Sequence, residues 1–210
     1  HVEEIIQQPL NYKLDTLKLK EVIEDFKKSN QVSFSPTLIS YHNIYEMLNY
    51  ESIMESKYIQ YINPLIKKMD SKVQFDRWKK AKLDDETIIS SINAQHEFHL
   101  KIIKLLHDAK VNIVCGTDSG IGITSPGFSI HEELDFFKEA GLTNYEVLKT
   151  ATINASNTHL IMRNLGTIEI GKTANLLLLK NKPLLDLSTL QSPNYVFIKG
   201  RKLNKQTLFR

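Results

Sequence analysis

A short apolar run that ends in a glycine and an acidic residue limits the folds this chain can adopt. The run Val111–Cys115 is followed by Gly116, Thr117 and Asp118, and a second glycine stands at position 120. Apolar runs of this length bounded by glycines are typical of buried strands. Helical patterns lie on both sides of the run, which indicates a β-α-β context. The stretch therefore predicts an α/β fold with Asp118 just beyond the C-terminal end of a strand, the edge at which parallel sheets carry their chemistry.

Two interpretations of Asp118 follow from the residues alone. A carboxylate at this edge is often functional, because the strand fixes its position while the loop is free to vary. Alternatively, its side chain accepts backbone N–H groups in an Asx-turn as the chain leaves the sheet. Cys115, inside the same predicted strand, is the only cysteine, so the chain can form no intrachain disulfide. The favoured role for Cys115 is that of a small buried hydrophobe, and this cysteine usage fits a reducing compartment.

The composition favours an ordinary soluble globular protein. Of 210 residues, 41% are hydrophobic and 24% are charged, and 27 basic against 24 acidic residues leave a net charge of +3. That balance argues against nucleic acid or a membrane surface as a partner. No apolar run approaches the ~18 residues of a membrane span, so a soluble protein is expected, with the cytoplasm favoured. The first residues, His-Val-Glu-Glu, show neither an initiating Met nor a signal-peptide pattern, which predicts a piece of a longer protein.

Periodicity and capping residues predict the local elements. Helices are indicated by apolar spacing and by polar residues at their starts, and strands by alternation that ends at Pro or Gly. The predicted elements are a helix over 16–28 with Asp15 as its N-cap, a strand over 31–35, a helix from Asp84 or Asp85 to Ala109, helices opened by the capping boxes Ser129–Glu132 and Thr143–Glu146, an extended segment and turn over 166–172, a strand over 175–179 and a hairpin over 194–203.

Three further features leave alternatives open. Residues 39–84 are rich in tyrosine and irregular, which is typical of a lid or a binding loop. The basic cluster at 77–82 within them is either a solvated turn, which is favoured, or a site for an acidic group of a substrate. His96 and His99 lie on adjacent helical turns and are either metal ligands or partly exposed helix histidines. Their spacing favours the second interpretation, because zinc peptidases use i, i+4 with a glutamate between.

His131 lies one turn inside the helix that follows the Asp118 loop. From there it can face the same pocket as Asp118. A histidine at a helix start is by itself a weak signal, so its candidacy as a substrate-binding residue depends on that shared pocket.

Taken in order, these motifs resemble the C-terminal half of the metal-dependent amidohydrolases, in the imidazolonepropionase-like and prolidase-like branch. The resemblance covers residues 111–202. It rests on the segments Gly116-Thr117-Asp118-Ser119-Gly120, Ser129–Leu134, Ala140–Thr143, Leu148–Ala155 and Leu165–Leu176. One departure is Ala174-Asn175-Leu176, where the family has Ala-Asp-Leu, in a segment away from the metals.

The resemblance implies an α/β fold, namely the C-terminal part of a TIM-like (β/α)₈ barrel, about strands six to eight, with part of a small β-sandwich beside it. Residues 1–160 would form the partial barrel and residues 161–210 the sandwich segment. The strand that ends at Asp118 would be strand eight, and the one at Val32–Ser35 would be strand seven. His1 would end strand six, because His1-Val2-Glu3-Glu4 is similar to a His-x-Glu-Glu pattern of this branch.

The same resemblance implies that the intact enzyme hydrolyses C–N bonds in a small molecule such as a dipeptide, an N-acyl amino acid or a cyclic amide. One or two divalent metal ions, zinc by preference, would lower the pKa of a bound water. Asp118 would be a metal ligand and the general base, His1 a second metal ligand, and His131 a substrate-binding residue.

The ligands that the family takes from strands one, four and five have no counterpart in these 210 residues. A catalytic zinc usually needs three protein ligands, so the chain by itself is expected to be inactive and metal-free. Two other functions stay open. One is a non-catalytic barrel part that assembles with a second copy, as a homo-oligomer, or with the missing N-terminal half. The other is a binding protein whose tyrosine-rich region and basic cluster hold an anionic ligand.

Overall fold

The computed structural model describes most of the chain and all of the stretch around Asp118 up to Gly120. The described residues are 13–29, 32–48, 59–62, 64–65, 76, 79–81, 83–84, 87–120 and 124–204. Their helices and strands are α1 (Thr16–Lys28), α2 (Leu38–Leu48), α3 (Ile88–Asp108), α4 (Ser129–Glu139), α5 (Asn144–Thr150), α6 (Ile153–Ser156), β1 (Leu176–Leu178), β2 (Tyr195–Ile198) and β3 (Arg201–Lys202), with short 3₁₀ turns at Ile59–Tyr61, Leu160–Met162 and Leu187–Gln191.

The first helix begins where the sequence predicts it. The Asp15 carboxylate accepts the backbone N–H groups of Leu17 and Lys18, each at 3.0 Å. An N-cap of this kind satisfies donors that have no partner inside the helix. One face of α1 packs its apolar side chains against the core, and the other faces solvent.

The two strands predicted on either side of α2 and α3 run parallel and lie next to each other. The Phe34 N–H donates to the Asn112 carbonyl and the Val114 N–H donates to the Phe34 carbonyl, both at 2.9 Å, which makes a parallel bridge between Phe34 and Ile113. Among the described residues, regular pairing of these segments is limited to this bridge, so it is shorter than the predicted strands 31–35 and 111–115; residue 31 lies outside the described residues. Pro36 has no N–H to donate, and Thr37 has a φ of +49°, so the chain turns away into α2 at once. We call residues 32–35 the Phe34 segment and residues 111–115 the Ile113 segment.

The helix predicted from Asp84 or Asp85 begins later than expected. It starts at Ile88, with Thr87 at the N-cap position. Asp84 lies in a short helical stretch before it, and Asp85 lies outside the described residues. The buried face of α3 contributes Leu100, Ile103 and Leu106 to the core. In the same cluster of buried side chains lie Leu38, Val111, Ile113, Leu134, Phe137, Ala140, Leu142, Val147 and Leu187.

Of the two predicted capping boxes, one is present and one is not. At α5 the Thr143 hydroxyl accepts the Glu146 N–H, and the Glu146 carboxylate accepts the Thr143 N–H at 2.8 Å. At α4 the prediction was wrong. The helix begins at Ser129 itself, Phe128 occupies the N-cap position, and no side chain caps it. The Ser129 hydroxyl is instead buried and has no hydrogen-bond partner among the described residues.

The C-terminal residues form a small antiparallel sheet in the order β1-β2-β3. The predicted strand and hairpin are confirmed, with Leu177 opposite Val196 and Ile198 opposite Arg201. The turn of the hairpin is closed in part by the Asn175 side chain, whose oxygen accepts the Lys199 N–H at 2.9 Å. In the described part of the chain, no helix is both long and apolar enough to cross a membrane.

The segment 166–172 forms turns and no strand in the structure. The predicted tight turn is present, because the Lys172 N–H donates to the Glu169 carbonyl at 3.2 Å. Gly166 lies so close to α6 that a Cβ there would meet the Ile153 Cα at 2.9 Å. Close backbone approach of this kind requires glycine. The proposed boundary between residues 160 and 161 stays a prediction.

The two capping boxes provide a matched test of this fold. Thr143→Ala removes a real cap and is expected to lower the free energy of unfolding by about 0.5–2 kcal/mol. Ser129→Ala removes a buried hydroxyl that has no hydrogen-bond partner in the described part of the chain, so it is expected to leave stability unchanged or to raise it by up to about 1 kcal/mol. Urea denaturation of the two variants and the parent chain measures both effects. A loss at Ser129 as large as that at Thr143 would contradict the assignment of the α4 start.

Candidate active site

The Phe34 and Ile113 segments meet closely at the edge that leads to Asp118. A Cβ on Gly116 would clash with the Ser35 Oγ, so the glycine allows this approach. The Cys115 N–H donates to the Thr150 carbonyl at 3.0 Å, which ties the same edge to the end of α5. The backbone leading to Asp118 is therefore held on both sides.

Asp118 is exposed and has a left-handed backbone, with φ of +46°. Aspartate is among the few residues other than glycine that adopt this conformation readily. The loop after it turns back at once, because the Gly120 N–H donates to the Thr124 carbonyl at 3.0 Å. The geometry presents an accessible carboxylate just beyond a parallel pair of segments, where the sequence predicted it.

The most deeply buried charged group at this edge is Glu133, which the sequence analysis did not single out. Its side chain is 0% exposed, and its two oxygens accept the N–H groups of Leu38 and Ile39 at 3.0 and 2.8 Å. These are donors in the first turn of α2, which have no acceptor within the helix. The signal was present in the sequence: Glu133 is four residues before Phe137 and four after Ser129, so it lies on the buried face of α4.

Burial governs the protonation of Glu133. Loss of solvent raises the pKa of this carboxyl to about 7 from an ordinary value of 4.5. The two backbone hydrogen bonds oppose this rise by favouring the carboxylate, and the negative charge of Asp118 adds to it. Two acidic side chains thus interact at this edge, one buried and one exposed.

Cys115 has the role that the sequence predicted. Burial raises the pKa of its thiol to about 12, and the charge of Glu133 contributes to the rise. A thiol with such a pKa stays protonated at neutral pH and is a poor nucleophile. The side chain packs against the hydrophobic core.

His131 lines a groove of about 290 Å³ between the start of α4, the turn at Ile59–Tyr61 and the turn at Leu187–Gln191. Burial lowers the pKa of its imidazole, and Asp135 partly opposes this. One wall of the groove is the stacked pair of Tyr61 and Phe128, whose ring centroids are 4.7 Å apart. The described residues around this groove do not include Asp118, so the shared pocket that we expected from the sequence stays a prediction.

The described residues do not by themselves fit a catalytic metal centre. In the ranges given above, no three His, Cys, Asp or Glu side chains come together in a way that could hold a metal ion, whereas a catalytic zinc usually has three protein ligands. His1, the predicted second ligand, lies outside the described residues. Asp118 offers one carboxylate.

His96 and His99 are partly exposed on α3, as the favoured interpretation expected, and both rings make aromatic contacts. The His96 ring packs against Phe136 and the His42 ring, with centroid distances of 5.1 and 5.7 Å. The His99 ring contacts Tyr41 at 5.0 Å, and burial, with the charge of His96, lowers its pKa.

Comparison with known proteins agrees with the resemblance seen in the motifs. The sequence matches the model of the amidohydrolase family over residues 35–203. No curated protein matches it. Among solved structures, a Xaa-Pro dipeptidase with methionine bound in its active site is similar with a TM-score of 0.56 and 21% identity, over 91% of this chain and 38% of that one. The A. niger ochratoxinase is similar with a TM-score of 0.55 and 23% identity, over 87% and 34%.

These likenesses show the fold, which is TIM-barrel-like α/β. The chain spans 38% of the length of the dipeptidase and 34% of the length of the ochratoxinase.

The buried carboxyl predicts a specific pH dependence of stability. Between pH 4.5 and 7 the folded chain keeps the Glu133 proton that the unfolded chain releases. The stability contributed by this proton is therefore fully present below pH 4.5 and is lost as pH rises to 7, by up to about 3 kcal/mol. Urea denaturation across this range should show the decline in the parent chain and its absence in Glu133→Gln. Glu169→Gln, at an exposed position, is the control and should show the same decline as the parent chain. An identical decline in both variants would contradict the assignment of this pH dependence to Glu133.

Proposed function

The chain belongs to the amidohydrolase family, and on that premise we propose that the protein containing it is a hydrolase of C–N bonds. The substrate is a small molecule with an amide carbonyl: a dipeptide, an N-acyl amino acid or a cyclic amide. Two observations outside this chain support the class, since one solved relative of the same fold is a Xaa-Pro dipeptidase and another is an ochratoxinase.

In the proposed reaction Asp118 is the general base. Water attacks the amide carbonyl carbon, and its proton passes to the Asp118 carboxylate. The C–N bond then breaks, and the same proton passes to the departing nitrogen, which leaves as an amine. A carboxylate suits both transfers because it accepts a proton and releases it again without rearrangement.

The observation that carries this proposal is the position of Asp118. It is exposed to solvent, it follows a parallel bridge closely, and backbone hydrogen bonds to Phe34 and Thr150 hold the residues before it. A catalytic carboxylate needs both properties, access for water and substrate and a fixed origin.

His131 is the proposed substrate-binding residue. Its groove has aromatic, amide and hydroxyl groups in Tyr61, Phe128, Gln191 and Ser192. Because burial lowers the pKa of His131, its neutral ring offers one donor and one acceptor near pH 7. This chemistry suits a neutral amide with an apolar side chain.

The remaining proposals concern parts that the described residues do not include. The family is generally metal-dependent, so we propose that the intact protein holds one or two divalent ions, zinc by preference. Asp118 and His1 would be among the ligands, and the others would come from outside this chain. We further propose that residues 1–160 supply about strands six to eight of the barrel, and that residues 161–210 supply part of a β-sandwich.

Asp118→Asn in the protein at its full natural length tests the role of this carboxylate. The amide of asparagine cannot accept the water proton, so turnover of Met-Pro, N-acetylphenylalanine or hydantoin is expected to fall by about a hundredfold or more. The free energy of unfolding should stay within about 0.5 kcal/mol, because Asp118 is exposed.

Asp25→Asn is the matched control, since Asp25 is an exposed aspartate on α1 whose carboxylate pairs only with Lys28 at 3.3 Å among the described contacts. Its turnover should equal that of the parent. Near-normal turnover in Asp118→Asn would refute the proposed base.

A second function is favoured by one observation, the exposed apolar side chains of the C-terminal part. Ile168 and Ile170 are 88% and 107% exposed, and Ile161 and Leu185 are similarly open. Apolar side chains this exposed bury area favourably when another surface covers them. The chain is accordingly proposed to be a non-catalytic barrel part that assembles with further polypeptide or with a second copy.

Light scattering of the 210-residue chain distinguishes this second function. Assembly through the C-terminal part predicts a species larger than the monomer, which the double change Ile168→Lys and Ile170→Lys should reduce to monomer. Ile130→Lys, at a partly exposed position on α4, is the control and should not alter the mass. A stable monomer of the unchanged chain would argue against assembly.

A further inference from the structure

One helix holds the loop that carries Asp118 at both of its ends. The Ser40 hydroxyl of α2 donates to the Thr117 carbonyl at 3.3 Å, directly before Asp118. One turn further along α2, the Asn43 side-chain amide donates to the Thr124 hydroxyl, where the loop ends. Residues three apart on a helix lie on the same face, so Ser40 and Asn43 together span the loop.

The second of these contacts is buried. Asn43 is 8% exposed and Thr124 is 3% exposed. A hydrogen bond between neutral groups shielded from water is expensive to lose, because each partner is left unsatisfied in a site that water does not reach. The Asn43–Thr124 pair therefore fixes the far end of the loop more firmly than a solvent-exposed pair would.

Glu133 in turn fixes α2. Its carboxyl group binds the N–H groups of Leu38 and Ile39, which precede Ser40 in the first turn of the helix. The chain enters this turn through Thr37, whose left-handed φ is +49°. Without an acceptor in the position of Glu133, these two donors would be buried without partners, and the first turn of α2 would lose its register.

From these contacts we propose that Ser40, Asn43 and Glu133 are positioning residues that hold Asp118 at the edge of the parallel pair. None of them needs to touch the substrate. Glu133 sets the start of α2, and Ser40 and Asn43 transmit that position to the two ends of the Asp118 loop. This inference rests on the proposed function in so far as Asp118 is the catalytic base. The claim that α2 holds the Asp118 loop in place does not depend on that catalytic role.

Asn43→Ala is the principal test, made in the protein at its full natural length. Two readouts are measured: amide hydrogen exchange at residues 117–120, and kcat and KM for Met-Pro or N-acetylphenylalanine. Loss of the Thr124 contact is expected to speed exchange by about tenfold or more and to lower kcat by about tenfold or more, with KM within about twofold. A merely structural role would not produce this separation of kcat from KM.

Asn112→Ala is the matched control. The Asn112 side chain joins the Ile113 segment to the Phe34 segment, because its amide donates to the Ser33 hydroxyl at 2.7 Å. The same amide donates to the Asn154 carbonyl of α6 at 3.3 Å. It lies at the opposite end of the Ile113 segment from Asp118. Its variant is expected to lose folding stability as Asn43→Ala does, while exchange at 117–120 and kcat stay within about twofold of the parent.

A gentler pair of variants covers the case in which Asn43→Ala fails to fold. Ser40→Ala removes the hydroxyl that binds the Thr117 carbonyl, and Ser40→Thr keeps a hydroxyl at the same place. Faster exchange at 117–120 and a lower kcat in the alanine variant, with recovery in the threonine variant, would support the inference.

The outcomes separate the two proposals. Unchanged exchange at 117–120 in both Asn43→Ala and Ser40→Ala, or equal effects of Asn43→Ala and Asn112→Ala on kcat, would overturn the positioning role. If Asp118→Asn keeps its turnover, the proposed role of Asp118 as general base fails, and the exchange measurements still decide whether α2 holds the loop.

Discussion

Two hydrogen bonds between the Glu133 carboxyl and the first turn of α2 are the interaction on which the geometry around Asp118 depends. It joins two helices that are far apart in the sequence, at a fully buried position. Burying an acidic group is unfavourable unless its hydrogen-bonding capacity is satisfied. The N–H groups of Leu38 and Ile39 have no acceptor within the helix, and the buried carboxyl has lost its hydrogen bonds to solvent. Their mutual hydrogen bonds satisfy both. In the same arrangement, Gly116 lies close to Ser35 and the Ser40 hydroxyl binds the Thr117 carbonyl.

The local elements could be predicted from the sequence because their causes are local. Asp15 caps α1 through donors two and three residues ahead, and the Thr143 box closes within one turn of α5. The same motif failed at Ser129, because tertiary packing buries that hydroxyl and places Phe128 at the N-cap position. A four-residue motif depends only on local sequence. It does not determine which face of the helix tertiary packing will bury.

Some residues of the candidate site could likewise be predicted from the sequence, and others could not. Asp118 could be placed from an apolar run, two glycines and the rule that parallel strands expose their C-terminal ends. Glu133 could not be assigned a function from the sequence, because its partners at Leu38 and Ile39 are more than ninety residues away. His131 was placed one turn inside a helix correctly, but its surroundings come from turns at Tyr61 and Gln191 that no local pattern connects to it. Long-range packing decides which polar residues meet, and a single sequence carries little information about it.

The bridge between Phe34 and Ile113 has a consequence for how such proteins diversify. It closes a loop of about 80 residues, and the entropy of closing a loop rises only with the logarithm of its length. Insertions or deletions between α2 and α3 therefore alter the stability of the bridge very little. They do alter the surface around His131, since the turn at Ile59–Tyr61 contributes to the groove that His131 lines. Evolution can thus vary the surface of this groove while the backbone geometry around Asp118 stays the same.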